Sequence, residues 1–109
     1  MSLEDTIYQY YETMLQGQME ESQELLDWNI NEGSIIDYYA NMGKLYREYY
    51  LVSLEDIEIT NTSVINGVGN VSVRLIYMDK DGKERSEINN VKLNKNPKGL
   101  WKITSIKRE

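Results

Sequence analysis

The sequence predicts an α+β domain in which three N-terminal helices pack on a curved four-stranded antiparallel sheet. Apolar residues recur at helical spacing up to about residue 50 and alternate with period two from residue 54 onward. Helices followed by strands are typical of a sheet covered by helices on one face. At 109 residues the chain is long enough for one core. We therefore expect a single domain, 1–109, with a helical part at 4–50, a sheet at 54–107 and a candidate cloning remnant at 1–3.

The first predicted helix is bounded by residues that favour helix ends. Ser2 and Asp5 form a capping box at its start, and Gly17 is suited to end it because helices often finish in a left-handed backbone conformation. A short second helix is expected from about Met19 to Asp27. The apolar residues of the first helix cover an arc of about 160°; they are Leu3, Ile7, Tyr8, Tyr10, Tyr11, Met14 and Leu15.

The third predicted helix begins at Ser34, with Asp37 in the matching capping position, and runs to Tyr50. Its apolar arc of about 180° is wider than one packed face requires. We expect this helix either to contact both the sheet and another helix, or to line a cavity or a subunit contact with part of its tyrosine surface.

The sheet half is predicted to contain four antiparallel strands in meander order, because apolar and polar residues alternate between short turn signals. The alternation slips by one near Asn89-Asn90, which predicts a bulge at that point. The turn signals contain residues that accept positive φ; they are Asn66-Gly67, Asp81-Gly82 and Asn96-Pro97-Lys98-Gly99.

Cysteine and histidine are both absent from the sequence. The first absence excludes disulfides, thiolate metal sites and cysteine nucleophiles, and leaves the redox compartment open. The second excludes Ser-His-Asp and Cys-His mechanisms and the commonest zinc ligand. We expect no cofactor and no metal site. Asp79, Asp81 and Glu84 surround Gly82 as in an acidic calcium loop, but the spacing of an EF-hand is missing, which favours a solvated hairpin tip.

The net charge of −6 is divided unevenly along the chain. Residues 1–56 carry twelve acidic and two basic residues, whereas residues 57–109 carry six acidic and ten basic residues. An acidic protein lacks the net basic footprint that nucleic-acid binding needs, so we expect no nucleic-acid partner. The lysines and arginines from Lys80 to Lys98 are expected to lie on a solvated outer face.

Two segments carry a resemblance to a known superfamily. The closing pattern Gly99-Leu100-Trp101-Lys102-Ile103 and the opening stretch Ile7–Glu20 are similar to those of the nuclear transport factor 2-like superfamily, and the resemblance covers nearly the whole chain. It implies a cystatin-like cone, in which a strongly curved antiparallel sheet wraps around the long helices. It also implies an internal pocket and a homodimer formed through the sheet.

Enzymes of this superfamily place Asp, His or Tyr inside the cone, whereas this sequence has no His and no aspartate that we can match to the catalytic position. The chain resembles more closely a branch of small non-catalytic domains, found on bacterial lipoproteins, membrane-anchored envelope proteins and the amino-terminal parts of transpeptidases. This branch implies a location outside the cytoplasmic membrane, with any native anchor lying outside this sequence.

The candidate site residues are aromatic, because nine tyrosines and no phenylalanine suggest rings that pack on a ligand while their hydroxyls orient it. The alternative for each tyrosine is a core position with its hydroxyl at the rim. No catalytic residue is assigned. The expected pocket lining consists of Tyr11, Tyr39, Tyr46, Tyr50, Tyr77 and Trp101.

Three functional hypotheses remain open at this point. The first is a non-catalytic domain of a bacterial cell-envelope protein that binds a small apolar or amphipathic ligand or a partner segment. The second is a lyase- or isomerase-type enzyme that uses a buried carboxylate with a tyrosine as the acid. The third is a structural homodimer, which would require an apolar outer side of the sheet and a filled interior.

Overall fold

The computed structural model describes residues 1–27 and 53–109. Within these ranges two helices precede one four-stranded antiparallel sheet with strand order β1-β2-β3-β4. Neither described helix is long and apolar enough to cross a membrane. The elements are α1 (Leu3–Leu15), α2 (Met19–Glu24), β1 (Ser53–Ile65), β2 (Val68–Met78), β3 (Glu84–Lys95) and β4 (Trp101–Arg108).

The prediction of three N-terminal helices is wrong for the described part of the chain, where two helices of 13 and 6 residues precede the sheet. The segment 34–50, predicted as the third helix, lies outside the described residues. The four antiparallel strands occur in the predicted meander order.

The ends of α1 follow from local hydrogen bonds. The backbone N–H of Ser2 donates to Asp5 Oδ2 at 3.2 Å, and the backbone N–H of Asp5 donates to Ser2 Oγ at 3.1 Å. These reciprocal bonds are the predicted capping box. After the helix, Gly17 adopts a φ of 75°, and the N–H of Gln18 donates to the carbonyl of Thr13 at 2.8 Å. The helix therefore stops where a left-handed residue lets the chain turn back.

The packed face of α1 differs from the predicted arc. Ile7, Tyr10 and Tyr11 are fully buried. Tyr8, which the arc included, is 37% exposed, whereas Thr6 is fully buried. Thr6 tolerates burial because its hydroxyl donates to the carbonyl of Ser2 at 3.0 Å. A threonine that bonds to its own helix thus takes a core position that hydrophobicity alone would not give it.

Helix α2 ends at Glu24, earlier than the predicted Asp27, because the chain leaves the helix to pair with β4. Leu26 forms a parallel bridge with Ile103. The N–H of Asp27 donates to the carbonyl of Ile103, and the N–H of Ile103 donates to the carbonyl of Leu25, both at 2.8 Å. These tertiary hydrogen bonds replace those of a further helical turn.

The sheet has two distinct faces. We call the face that packs against the helices the inner face and the opposite one the outer face. Side chains alternate between the faces along each strand, so that on β2 Val71, Val73 and Leu75 are buried on the inner face. Among the residues that the structure describes, the core contains Leu3, Ile7, Tyr10, Tyr11, Leu25, Leu26, Val71, Val73, Leu75, Val91, Leu93, Ile103 and Ile106.

The hairpin between β1 and β2 turns at Asn66 and Gly67, whose φ values of 53° and 77° are both positive. A two-residue turn of this kind matches the twist of the strands, as the sequence predicts. The predicted bulge at Asn89-Asn90 is wrong, because these residues pair in unbroken register with Val73 and Ser72. The shift in this strand lies instead between Lys92 and Leu93, in the pairing with β4.

Candidate functional site

Three of the six predicted pocket residues lie in the described part of the chain. They are Tyr11 on α1, Tyr77 on β2 and Trp101 on β4. The other three predicted residues, Tyr39, Tyr46 and Tyr50, lie outside the described residues. The geometry of the site is therefore built from the inner face of the sheet and from α1.

The Tyr11 ring is fully buried between α1 and the sheet, and its edge-on neighbour is the Tyr10 ring at 5.3 Å between centroids. The hydroxyl of Tyr11 accepts a hydrogen bond of 2.7 Å from Nδ2 of Asn89. Burial raises the pKa of Tyr11 well above its ordinary value, and the bond from Asn89 offsets only part of that rise. The phenol therefore stays neutral and acts as a hydrogen-bonding group rather than as a base.

Asn89 is the polar residue that the sequence analysis missed. It lies on the inner face, opposite Val73 on β2 and Arg108 on β4, and is fully buried. Its Oδ1 atom is also buried and has no hydrogen-bond partner in the described part of the chain. The slip in alternation was the signal for this position. The slip reflects a polar residue in a core row, stabilised by a tyrosine 78 residues away in sequence, and not an extra residue in the strand.

A carboxylate lies next along the inner row of β3. Glu87 pairs across the sheet with Leu75, and its side chain is only 17% exposed. Its Oε2 atom lies 4.0 Å from Nε of Arg108. Glu87 and Asn89 thus occupy successive inward positions on β3. Of the two, Asn89 is the residue that donates a hydrogen bond to the Tyr11 hydroxyl.

Tyr77 and Trp101 are half-buried against the core but lie at opposite ends of the inner face. Tyr77 lies near the end of β2, opposite Arg85. Trp101 lies beside Gly69 near the start of β2, with Nζ of Lys95 5.2 Å from its ring centroid. At about 3.4 Å per residue, the strand places Tyr77 roughly 27 Å from Gly69. One small ligand cannot contact both rings, and Tyr11 lies between them.

The acidic turn at Asp79 is held by its own hydrogen bonds. Asp79 Oδ1 accepts the backbone N–H groups of Asp81 and Lys83, both at 2.9 Å, and its Oδ2 lies 2.8 Å from Nε of Arg85. The bond from Arg85, followed by that from Lys83, holds the pKa of Asp79 below its usual range. Both carboxylate oxygens thus fix the turn. In residues 1–27 and 53–109 no cluster of three or more acidic residues is placed to hold a metal ion.

Comparison with known proteins identifies the fold through solved structures. No protein-family model and no curated protein sequence matches this chain. The solution structure of a SEC-C motif-containing protein from Rhodopseudomonas palustris matches 97% of this chain and 77% of its own, with a TM-score of 0.73 and 17% identity. The crystal structure of a protein named as an NTF2-like transpeptidase from Campylobacter jejuni matches 94% of this chain and 98% of its own, with a TM-score of 0.59 and 13% identity. At these identities the likeness concerns the fold, and this chain has the NTF2-like fold.

Proposed function

We propose that this chain is a non-catalytic domain that binds a small amphipathic ligand on the inner face of the sheet, with the amide oxygen of Asn89 as its polar contact. The observation that carries the proposal is the buried Oδ1 atom of Asn89, which has no hydrogen-bond donor among residues 1–27 and 53–109. A buried acceptor without a donor costs about 1–3 kcal/mol, and native structures seldom retain one without a reason. A ligand with one N–H or O–H group would recover that free energy.

The chemistry around Asn89 supports binding over catalysis. The hydroxyl of Tyr11 is bonded to an amide and stays neutral because burial raises its pKa. An acid–base enzyme of this fold would instead place a desolvated carboxylate within hydrogen-bond reach of a tyrosine hydroxyl. The neighbours of Asn89 on the inner face, Val73 and Val91, are buried and apolar, so a ligand that reached the Asn89 amide would enter apolar surroundings, which favours an amphipathic ligand over a fully polar one.

The experiment compares two probes that differ in one donor. 4-Butylphenol carries an O–H group, and 4-butylanisole replaces it with a methoxy group that cannot donate. We expect the phenol to bind the wild-type protein about fivefold more tightly, which corresponds to one net hydrogen bond of about 1 kcal/mol. Titration calorimetry or chemical shifts of the Asn89 side-chain amide measure both affinities.

Two variants on β3 test whether the difference in affinity between the two probes depends on the Asn89 amide. Asn89→Leu removes the inner amide, and Asn94→Leu makes the same change on the outer face, where the Oδ1 atom also lacks a partner among the described residues. The preference for the phenol should disappear in Asn89→Leu and persist in Asn94→Leu. Equal affinities of the two probes for the wild-type protein would refute the proposal without reference to any variant.

We further propose that the domain belongs to a bacterial cell-envelope protein and acts outside the cytoplasmic membrane. The support is the shared fold with the Campylobacter jejuni protein, which is named as an NTF2-like transpeptidase, together with the resemblance to the envelope branch described above. Fractionation of cells that express the complete gene with an epitope tag tests this. Recovery of the tagged protein in the cytoplasmic fraction alone would contradict it.

Glu87 favours a second candidate function, that of a lyase- or isomerase-type enzyme. Its carboxylate is largely buried on the inner face, one inward position from Asn89. A general base works best with a pKa near the operating pH. A carbon-13 titration of Glu87 with a midpoint near neutral pH would support this candidate, and a midpoint in the ordinary range of a glutamate would count against it.

A further inference from the structure

A half-open depression of ≈ 310 Å³ lies on the outer face of the sheet, across all four strands. It is separate from the inner face that carries Tyr11 and Asn89, since alternate residues of each strand form the two faces. Of the residues described, those whose side chains project toward it carry amides, hydroxyls and two ammonium groups, and none of them is acidic or aromatic. They are Asn61, Ser63, Asn70, Ser72, Asn90, Lys92, Ser105 and Lys107.

The strand register arranges these eight side chains in two parallel rows. One row crosses the sheet as Ser63, Asn70, Lys92 and Ser105, and the neighbouring row crosses as Asn61, Ser72, Asn90 and Lys107. Strands in a sheet lie about 4.8 Å apart, so each row is roughly 14 Å long. We call this surface the polar grid. Its length suits an extended ligand.

The two lysines give the polar grid a positive charge in an acidic protein. Lys92 lies directly opposite Ser105, so that Lys107 is its diagonal neighbour on the same face. Diagonal neighbours are about 7–8 Å apart, close enough for both ammonium groups to contact one anionic group. In the described part of the chain the three ion pairs use Arg74, Arg85 and Arg108, and neither lysine is within ion-pair distance of a carboxylate.

The amides and hydroxyls specify the rest of the ligand. Ser72 Oγ donates to Asn90 Oδ1 at 3.1 Å, which fixes the orientation of the Asn90 amide. Side-chain amides and hydroxyls both donate and accept, and so match the hydroxyl groups of a sugar. Single-stranded nucleic acid is disfavoured because the polar grid has no aromatic ring on which bases could stack.

We propose that the polar grid binds an acidic oligosaccharide, with Lys92 and Lys107 contacting its carboxylate groups and the asparagines and serines contacting its hydroxyls. The polar composition of this surface is also unlike the apolar outer side that a homodimer formed through the sheet would need. Binding here is independent of the ligand proposed for the inner face. Either site can fail its test without affecting the other.

The test uses the trimer of galacturonic acid as the probe and maltotriose, a neutral trimer, as its control. Binding is followed at low ionic strength by amide chemical shifts of the polar grid. We expect saturable shifts with the acidic trimer and at least about tenfold weaker binding of maltotriose, since two exposed charge contacts are lost. Inorganic phosphate alone should bind more weakly than the acidic trimer.

The paired variant Lys92→Gln/Lys107→Gln should weaken binding of the acidic trimer about tenfold. The control variant Lys80→Gln/Lys83→Gln removes the same charge from the turn between β2 and β3 and should change the affinity less than about twofold. Equal losses in both variants would show non-specific attraction and overturn the proposal. Equal affinity for maltotriose, equal affinity for phosphate, or concentration-dependent self-association through this face in place of binding would also overturn it.

Discussion

The bond between Tyr11 and Asn89 predicts an unusual pattern of stability in a double-mutant cycle. Both residues are fully buried, and the Asn89 Nδ2 to Tyr11 Oη distance is 2.7 Å. Tyr11→Phe removes the acceptor of the amide, whose Oδ1 atom already lacks a partner, and so leaves the whole amide unsatisfied. Such a buried polar group costs about 1–3 kcal/mol, so we expect this loss in the free energy of unfolding.

Asn89→Leu should cost less than Tyr11→Phe. It leaves the tyrosine hydroxyl without its donor but also removes the unsatisfied Oδ1 atom, so the two effects oppose each other. We expect a net loss of about 1 kcal/mol or less. The double variant has no polar group left at this position and should lie within about 1 kcal/mol of the wild-type protein, because replacing both partners by apolar groups of similar shape is nearly neutral.

The assay is urea unfolding at about pH 7, followed by far-UV circular dichroism, with unchanged m values as the check that the unfolding reaction is the same. The coupling energy between the two sites should be at least about 1 kcal/mol. As a control, Asn94→Leu on the outer face should show no coupling to Tyr11→Phe. If the double variant loses as much free energy of unfolding as the two single variants together, the Tyr11 and Asn89 side chains do not interact as described.

Three further predictions concern pH and packing. Because burial raises the pKa of Tyr11, only the unfolded state ionises this group above about pH 10. The free energy of unfolding of the wild-type protein should therefore fall by about 1.4 kcal/mol per pH unit more than that of Tyr11→Phe, as measured by urea unfolding. Because the pKa of Asp79 is lowered in the folded state, its carboxylate stabilises the fold above the ordinary aspartate pKa, and this stabilisation is lost as the pH falls through the folded-state pKa. The difference in Tm between the wild-type protein and Asp79→Asn should therefore shrink on acidification. A Cβ atom at Gly69 would overlap Cδ1 of Leu3, which is the end of a side chain that can shift, so Gly69→Ala should destabilise the protein by about 1 kcal/mol or less in urea, and by less again in a Leu3→Ala background; equal losses in both backgrounds would exclude the overlap as the cause.

The parts of the fold that the sequence predicts correctly are those determined by short-range chemistry. The capping box needs only Ser2 and Asp5, and the first hairpin needs only Asn66 and Gly67, whose positive φ values the residue types favour. In each case the residues that fix the structure are close together in sequence.

The errors occur where a distant part of the chain supplies a partner. The end of α2 depends on hydrogen bonds between Leu25–Asp27 and Ile103, which no local pattern reveals. Asn89 occupies a core position because Tyr11 accepts its hydrogen bond. The local sequence pattern shows only that the alternation is interrupted there. The positions of the candidate site residues also depend on the strand pairing: Tyr77 and Trp101 lie on the same face of the sheet but near opposite ends of β2.

The bridge between Leu26 and Ile103 has a consequence for synthesis on the ribosome. The helices are made before β4, the strand with which Leu26 pairs, and Lys102 Nζ completes the junction by donating to the Glu24 carbonyl, 78 residues earlier, at 2.5 Å. Contacts over such a separation form only after the intervening chain is available. Leu25 and Leu26 therefore remain without their partner strand until translation reaches β4, so the nascent segment that carries them is suited to chaperones that shield hydrophobic surface.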